Sequence, residues 1–342
     1  MHLWFGKGGW ASKKARQQLK QLQPADIKSI AVIRHAALGD MLLTRPFLVE
    51  CRRLYPNASI TLSVTSNYQR GTPEDLIDRV HVVHGSDQRK VGVVQQLKKY
   101  RELGQHDIIF DLAATPRSFW TCFLNKAKFK VGFPYGVFQR YIFYNIFIPR
   151  SDFRFEADNL LDMLNAMGAK TKWPLDFAFN VKPIEVEKDY ILIFPSASTP
   201  TRCWERSKVI ELVGKLASAN PDLDIYLLAG RADWEKVDDI INALPEYKNV
   251  LAKECNDYGE TLACIRTARL VVANDTGIRH MAIALSTPSV GIFFDESVNG
   301  STPFRYWPRY SLHEAVFTTD GKQPDVNDVF ESITDLLQRV SG

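Results

Sequence analysis

The chain has 342 residues, more than one hydrophobic core ordinarily organises, so two domains are expected. Apolar residues make up 45% and charged residues 24%, the balance of a soluble globular protein rather than of a disordered or fibrous one. The formal net charge of +4 is too small to argue for a nucleic-acid partner, although a modest basic excess suits an acidic substrate or a membrane surface.

No apolar run approaches the ~20 residues that span a bilayer, and the N-terminus has no signal-peptide core. The nearest candidate, Tyr141–Ile148, is short and contains Asn145. Five scattered cysteines (Cys51, Cys122, Cys203, Cys255 and Cys264) form no C-x-x-C pair and read as thiols of a reducing, cytoplasmic compartment. Residues 1–26 form a basic and aromatic extension, with Leu3, Trp4, Phe5 and Trp10 beside Lys7, Lys13, Lys14, Arg16 and Lys20. Such a segment either lies at a membrane interface or is a solvated helix whose aromatics cap the first domain.

Strand-like and helix-like runs then alternate. Ser29–His35 reads as a strand, Asp40–Leu54 as a helix, and Ser59–Thr65 and Val80–Val83 as strands. Lys90–Leu103 is helical, Asp107–Leu112 a strand, Arg117–Lys126 helical, Phe129–Phe133 a short strand, and Phe155–Met167 a helix. The pattern breaks near 170–188, where Pro174 and Pro183 interrupt any periodicity. It restarts with strands at Tyr190–Pro195, Asp224–Ala229, Val250–Leu251, Leu270–Ala273 and Ser289–Phe294. The intervening helices are Ser207–Ser218, Ala232–Leu244, Gly259–Thr267 and Gly277–Leu285, and a last one spans Val326–Val340. This alternation predicts two doubly wound, Rossmann-like α/β domains, at 27–172 and 189–342, joined by a linker at 173–188. Ligands of such folds meet the carboxyl ends of strands, so the expected site is a cleft between the two halves.

Residues just after strands are therefore the candidates. Asp40 follows the first strand by a short turn, either as a helix N-cap or as a general base for an acceptor hydroxyl, and Gly39 would allow close approach. In the second half, a buried strand runs into Asn274-Asp-Thr-Gly277 and a helix opens. Its unpaired N–H groups and dipole suit a phosphate, with a hydroxyl from Thr276 and space at Gly277. His280 follows one turn in, as ligand contact or core residue. The loop Phe194–Trp204 offers Ser196, Ser198, Thr199, Thr201 and the fixed charge of Arg202, suited to a diphosphate leaving group. After the next strand, Gly230 permits a turn, and Asp233 or Glu235 either meets a ribose or caps the following helix. There is no P-loop and no G-x-G-x-x-G after the first strand. Metal-ligand spacings are absent: His81 and His84 fall on opposite strand faces, and Asp222-Leu-Asp224 precedes its strand.

Three motifs in order carry a resemblance. They are Ile33-Arg-His-Ala-Ala-Leu-Gly-Asp-Met-Leu-Leu-Thr-Arg-Pro46, the Pro195–Trp204 loop, and Asn274-Asp-Thr-Gly-Ile-Arg-His280. Together they resemble glycosyltransferase family 9, the ADP-heptose:lipopolysaccharide heptosyltransferases of GT-B fold. The resemblance implies an inverting transfer of heptose from ADP-heptose to the lipopolysaccharide inner core, with no cofactor or metal. It assigns Asp40 as base and Arg202 as the diphosphate-neutralising cation. It matches Asp275, Thr276, Gly277 and His280 to the nucleotide-sugar site and Ser198 to the loop's hydroxyl positions; Ser196, Thr199, Gly230, Glu235 and Ile278 are expected beside the nucleotide sugar from their places after the strands. Gly39 is expected beside the acceptor, and Arg45, Arg70, Arg117 and Lys126, near expected strand ends or helix starts, either face an anionic glycolipid acceptor or are ordinary surface charge. The expected location is the cytoplasm, with peripheral contact to the inner membrane. Two features depart from the family pattern: arginine stands at 202 where lysine is usual, and Gly291–Ser301 replaces a Gly-Pro-Thr-rich loop. Another nucleotide sugar, or a catalytically silent sugar-nucleotide binder, are the competing readings.

Overall fold

The structure is a computed structural model and describes residues 9–69, 71–88, 91–134, 141–294, 302–318 and 322–341. The chain divides into two units, one of residues 1–151 and 156–178 and one of 152–155 and 179–342. Residues 173–178 join the first unit because Arg45 binds the carbonyls of Phe177 and Ala178, while Ile184 in the second donates its N–H to Thr267.

The first unit is built on seven strands: β1 Trp10–Ala11, β2 Ser29–Ile33, β3 Ser59–Thr65, β4 Arg79–Val83, β5 His106–Asp111, β6 Ala127–Gly132 and β7 Ile146–Phe147. Their order is β1-β7-β6-β5-β2-β3-β4, parallel throughout except for β1 against β7. Ile30, Ala31, Val32 and Ile33 are all buried, as a central parallel strand covered on both faces requires. Helix Arg45–Leu54 packs Phe47 edge-on against Phe110 of β5, ring centroids 5.1 Å apart. Each fully buried side chain of this size contributes roughly 1.5–3 kcal/mol.

The second unit holds six parallel strands: β8 Tyr190–Phe194, β9 Asp224–Leu228, β10 Val250–Lys253, β11 Leu270–Asn274, β12 Ser289–Phe293 and β13 His313–Phe317. Their order is β10-β9-β8-β11-β12-β13. Helix Arg206–Ala219 and the C-terminal helix Val326–Ser341 pack on one another, burying Leu212, Leu216, Ile333 and Leu336.

Three expectations are corrected. The helix expected over 40–54 is two helices, Leu38–Leu42 and Arg45–Leu54, because Pro46 has no N–H to continue the ladder. The helix expected over 232–244 is a short turn, Asp233–Glu235, followed by Asp238–Ala243. The turn is held instead by Trp234, whose indole N–H donates to Ala197 O and whose carbonyl accepts from Ser196 Oγ. The described part of the N-terminal extension belongs to the first sheet: Trp10 stacks on Phe147, and Ala15 of helix Lys13–Lys20 is buried in the core. Residues 1–8 lie outside the described residues.

Candidate active site

In both units the strand order reverses between the first and fourth strands of the Rossmann-like series: β2 and β5 in one, β8 and β11 in the other. Loops leaving the carboxyl ends of such a pair form the binding crevice of open α/β sheets. Asp40 and Arg117 leave β2 and β5, and the Ser196–Arg202 loop and Asp275–Gly277 leave β8 and β11.

In the first unit Asp40 is not an N-cap. It lies inside helix Leu38–Leu42, whose cap position is Ala37, and its Oδ1 accepts a hydrogen bond from Arg34 Nη2 at 3.0 Å. Arg34 is 2% exposed. Its Nη1 donates to Leu112 O at 2.6 Å, across the β2/β5 reversal, and its Nη2 also meets Glu156 Oε1 at 3.1 Å. Glu156 is fully buried and takes a second arginine, Arg150, on both carboxylate oxygens. The Asp40 side chain is one-quarter exposed, so its fixed carboxylate faces an accessible surface. The adjoining turn is constrained too. Ala114 adopts φ 51°, held by Asp111 Oδ1, which accepts the N–H groups of Ala113 and Ala114. Such left-handed backbone at a non-glycine residue concentrates at functional turns.

The acceptor candidates separate. Arg117 is exposed as the second residue of helix Pro116–Leu124. Arg45 is corrected: it is buried, pairs bidentately with Asp75 and binds two carbonyls, so its guanidinium is committed to the unit's own packing. Lys126 is also corrected, because its carbonyl accepts the N–H of His106 at the start of β5, at the amino ends of the strands rather than the carboxyl ends that carry Asp40 and Arg117. Gly39 is the second residue of helix Leu38–Leu42, and Arg70 lies outside the described residues.

In the second unit Asn274, at the end of β11, donates its amide to the carbonyls of Pro195 and Ser196 at 3.0 and 3.2 Å, joining the two candidate loops. Thr276 occupies the cap position of helix Gly277–Ala284, yet its side chain makes no capping bond. Its Oγ1 is buried without a hydrogen-bond partner beside the helix N–H groups, with Ile278 half-buried next to it. His280 Nε2 lies 3.7 Å from Asp275 Oδ1. Burial, and then the Arg279 charge, push the His280 pKa down to about 3, so the ring is neutral. Arg279 is fully buried, donates to the carbonyls of Tyr306 and Glu314, and lies 4.8 Å over the Phe293 ring. A side chain on Gly291 would meet Arg279 Nε at 2.0 Å, so that glycine makes room for the guanidinium.

In the Ser196–Arg202 loop, Ser198, Thr199 and Arg202 are exposed. Thr199 Oγ1 is 3.1 Å from Thr201 Oγ1, and Arg202 has no ion-pair partner among the described residues. Ser196 is corrected, since it is fully buried and bonded to Trp234 O. Glu235 takes the capping alternative: its Oε2 accepts the Ala232 N–H, and Gly230 is explained by that side chain, 2.3 Å from where its Cβ would be. All five cysteines are free. Among the described residues, no group of three or more His, Cys, Asp or Glu side chains is placed to share a metal ion.

Arg34, Glu156, Asn274 and Arg279 complete these sites without having been singled out in sequence. Arg34 lies in the motif at 33–46 and Asn274 and Arg279 in that at 274–280, whereas Glu156 lies outside all three motifs.

Known proteins bear on this arrangement. The model of glycosyltransferase family 9 (heptosyltransferase) matches residues 96–329, a span that includes Thr276 and begins after Asp40. Lipopolysaccharide heptosyltransferase 1 of Campylobacter coli is 22% identical over 306 residues, covering 80% of this chain and 84% of that protein. The structure of E. coli heptosyltransferase WaaC with ADP-2-deoxy-2-fluoro heptose superposes with a TM-score of 0.70 at 17% identity, covering 90% of this chain and 99% of that one. E. coli ADP-heptose lps heptosyltransferase II gives a TM-score of 0.63 at 17% identity over 92% of this chain and 100% of that one. The fold is GT-B, and the chain is a glycosyltransferase that belongs to glycosyltransferase family 9.

Proposed function

We propose that the protein is an inverting heptosyltransferase that moves heptose from ADP-heptose to the inner core of lipopolysaccharide without a metal ion. The observation that carries this reading is the Asp40 carboxylate, part exposed at the β2/β5 reversal and held by a buried arginine. Asp40 takes the proton of an acceptor hydroxyl as its oxygen attacks the anomeric carbon. The bond from that carbon to the diphosphate breaks, ADP leaves with the electron pair, and the configuration inverts. Charge on the departing diphosphate is met by Arg202, the Thr276 hydroxyl and the N–H groups opening helix Gly277–Ala284. E. coli heptosyltransferase WaaC, solved with ADP and with ADP-2-deoxy-2-fluoro heptose, supports an adenine nucleotide as donor. Arg117 suits an anionic acceptor, such as a Kdo-bearing or phosphorylated sugar.

The glycolipid acceptor implies contact with the cytoplasmic face of a membrane. No helix among the described residues is long and apolar enough to cross one. Trp120, Phe123, Tyr141 and Ile142 are 44–59% exposed, and Lys126 and Lys128 are exposed close by in sequence, a composition that suits an anionic bilayer surface.

The test has two parts. Calorimetric titration with ADP, UDP, GDP and CDP in EDTA is expected to show binding of ADP alone; selective binding of UDP or GDP would exclude the heptose donor. Asp40→Asn is expected to bind ADP as wild type does and to lose roughly 100- to 10,000-fold in transfer. Transfer within threefold of wild type would remove Asp40 as the base.

A further inference from the structure

His35 shares the strand-to-helix turn with Asp40 and ends a chain of hydrogen bonds running across the first sheet. His35 Nε2 is 3.1 Å from Ser63 Oγ on β3, Ser63 Oγ is 2.9 Å from His81 Nδ1 on β4, and His81 Nε2 is 2.8 Å from the Lys99 carbonyl oxygen. A carbonyl only accepts, so His81 carries a proton on Nε2. Burial holds His81 below the usual histidine range, so its Nδ1 is a lone pair and accepts from the Ser63 hydroxyl. Ser63 has then used its only proton, and its oxygen accepts from His35 Nε2–H. Burial above all, with the nearby positive charge of Arg117 adding to it, keeps His35 neutral, with a pKa of about 3. Its remaining nitrogen, Nδ1, is therefore a lone pair. That atom is buried and has no hydrogen-bond partner, on a side chain more than nine-tenths buried.

We propose that His35 Nδ1 accepts a hydrogen bond from a hydroxyl of the sugar acceptor, and that Ser63 and His81 fix the tautomer that makes this possible. The inference rests on the glycosyl-transfer reading above. A neutral lone pair pairs with an O–H donor and repels a carboxylate or phosphate oxygen. The acceptor's anionic group falls instead to the exposed cation of Arg117, close enough to His35 to influence its titration. His35 thus binds and orients the acceptor, while Asp40 removes the proton of the reacting hydroxyl.

The experiment begins with nitrogen-15 NMR of the histidine rings in the free full-length protein, with His35 assigned by its loss in His35→Asn. The expected result is the Nε2–H tautomer in wild type and a mixture in Ser63→Ala. A soluble Kdo-terminated oligosaccharide is expected to move the His35 Nδ1 resonance. In steady-state assays His35→Leu is expected to raise the KM for that acceptor roughly tenfold and leave the KM for the nucleotide sugar unchanged. His35→Asn, whose carbonyl oxygen can stand near the Nδ1 position, is expected to recover part of the loss. An Nδ1–H tautomer, an unmoved Nδ1 resonance at saturating acceptor, or equal acceptor KM in the Leu and Asn variants would overturn the inference. Wild-type protein that transfers to no acceptor would overturn the glycosyl-transfer reading instead, and the tautomer read in the free protein keeps the two failures apart.

Discussion

Glu156 shows how a buried charge can serve a residue that works at the surface. Its carboxylate is sealed from water and shared by Arg34 and Arg150, and Arg34 in turn holds Asp40. Removing one partner of a buried ion pair leaves the others uncompensated, at a cost of about 3–5 kcal/mol. Glu156→Gln is expected to lose stability of that order in urea unfolding, and an unchanged midpoint would show that the arginines find other partners. Arg202 is the opposite case, an exposed cation with no ion pair among the described residues. Arg202→Ala is expected to weaken ADP binding roughly tenfold by calorimetry and adenosine binding little; equal loss of both would place it away from the phosphates. Asp40 was legible in sequence because its position follows from a local pattern of strand, turn and helix. Glu156 was not, because Arg34, the partner that ties it to Asp40, lies 122 residues away and no periodicity records that pairing. Arg45 misled for a related reason: sequence shows a charge at a helix start, but not the Asp75 carboxylate that occupies it.

Elements were legible in proportion to their length and burial. β2, β8 and β11 are continuous apolar runs and were read within two residues of their ends. β1 and β7 have two residues each, too few for any period, and β13 is a half-buried edge strand. In the loops, the same competition between local bonding and helix propagation that broke 232–244 left Glu235 as a cap. Helix Pro116–Leu124 raises a different question, because Trp120 and Phe123 stand exposed on one face and meet edge to face at 5.8 Å. If that face rests on lipid, wild-type protein sediments with phosphatidylglycerol vesicles and not with phosphatidylcholine, and Trp120→Ser with Phe123→Ser abolishes sedimentation while transfer to a soluble acceptor persists. Equal recovery of the double variant with anionic vesicles would exclude this face as the contact.

At the scale of the molecule, the same strand order occurs twice, and the sequence foreshadowed it by restarting its alternation after residue 188. Each unit also buries neutral histidines: His35, His81 and His106 in the first, His280 and His313 in the second. A histidine whose folded pKa lies below its unfolded value binds more protons when unfolded. Its contribution is therefore complete above about 6.5 and is lost as pH falls toward the folded value, about 3 for His35, His280 and His313. Both units are expected to lose stability from pH 6.5 downward, by up to about 1.4 kcal/mol per pH unit for each such ring. Urea midpoints at pH 7.5 and 5.5 test this, and His313→Gln should flatten the dependence of the second unit. A profile flat over that interval would mean that the rings titrate alike folded and unfolded.

Arg279 carries one further consequence. Dissolved salt gathers around exposed charges and damps their field beyond about 10 Å at 0.1 M. Arg202 and Arg117 are open to that damping. Arg279 is fully buried one turn from Thr276, where no dissolved ion can approach it, and its charge persists with a pKa of about 10. As ionic strength rises, the attraction of the two exposed arginines for an anion fades, while the buried Arg279 charge, with the Asp275 carboxylate close by, is screened much less.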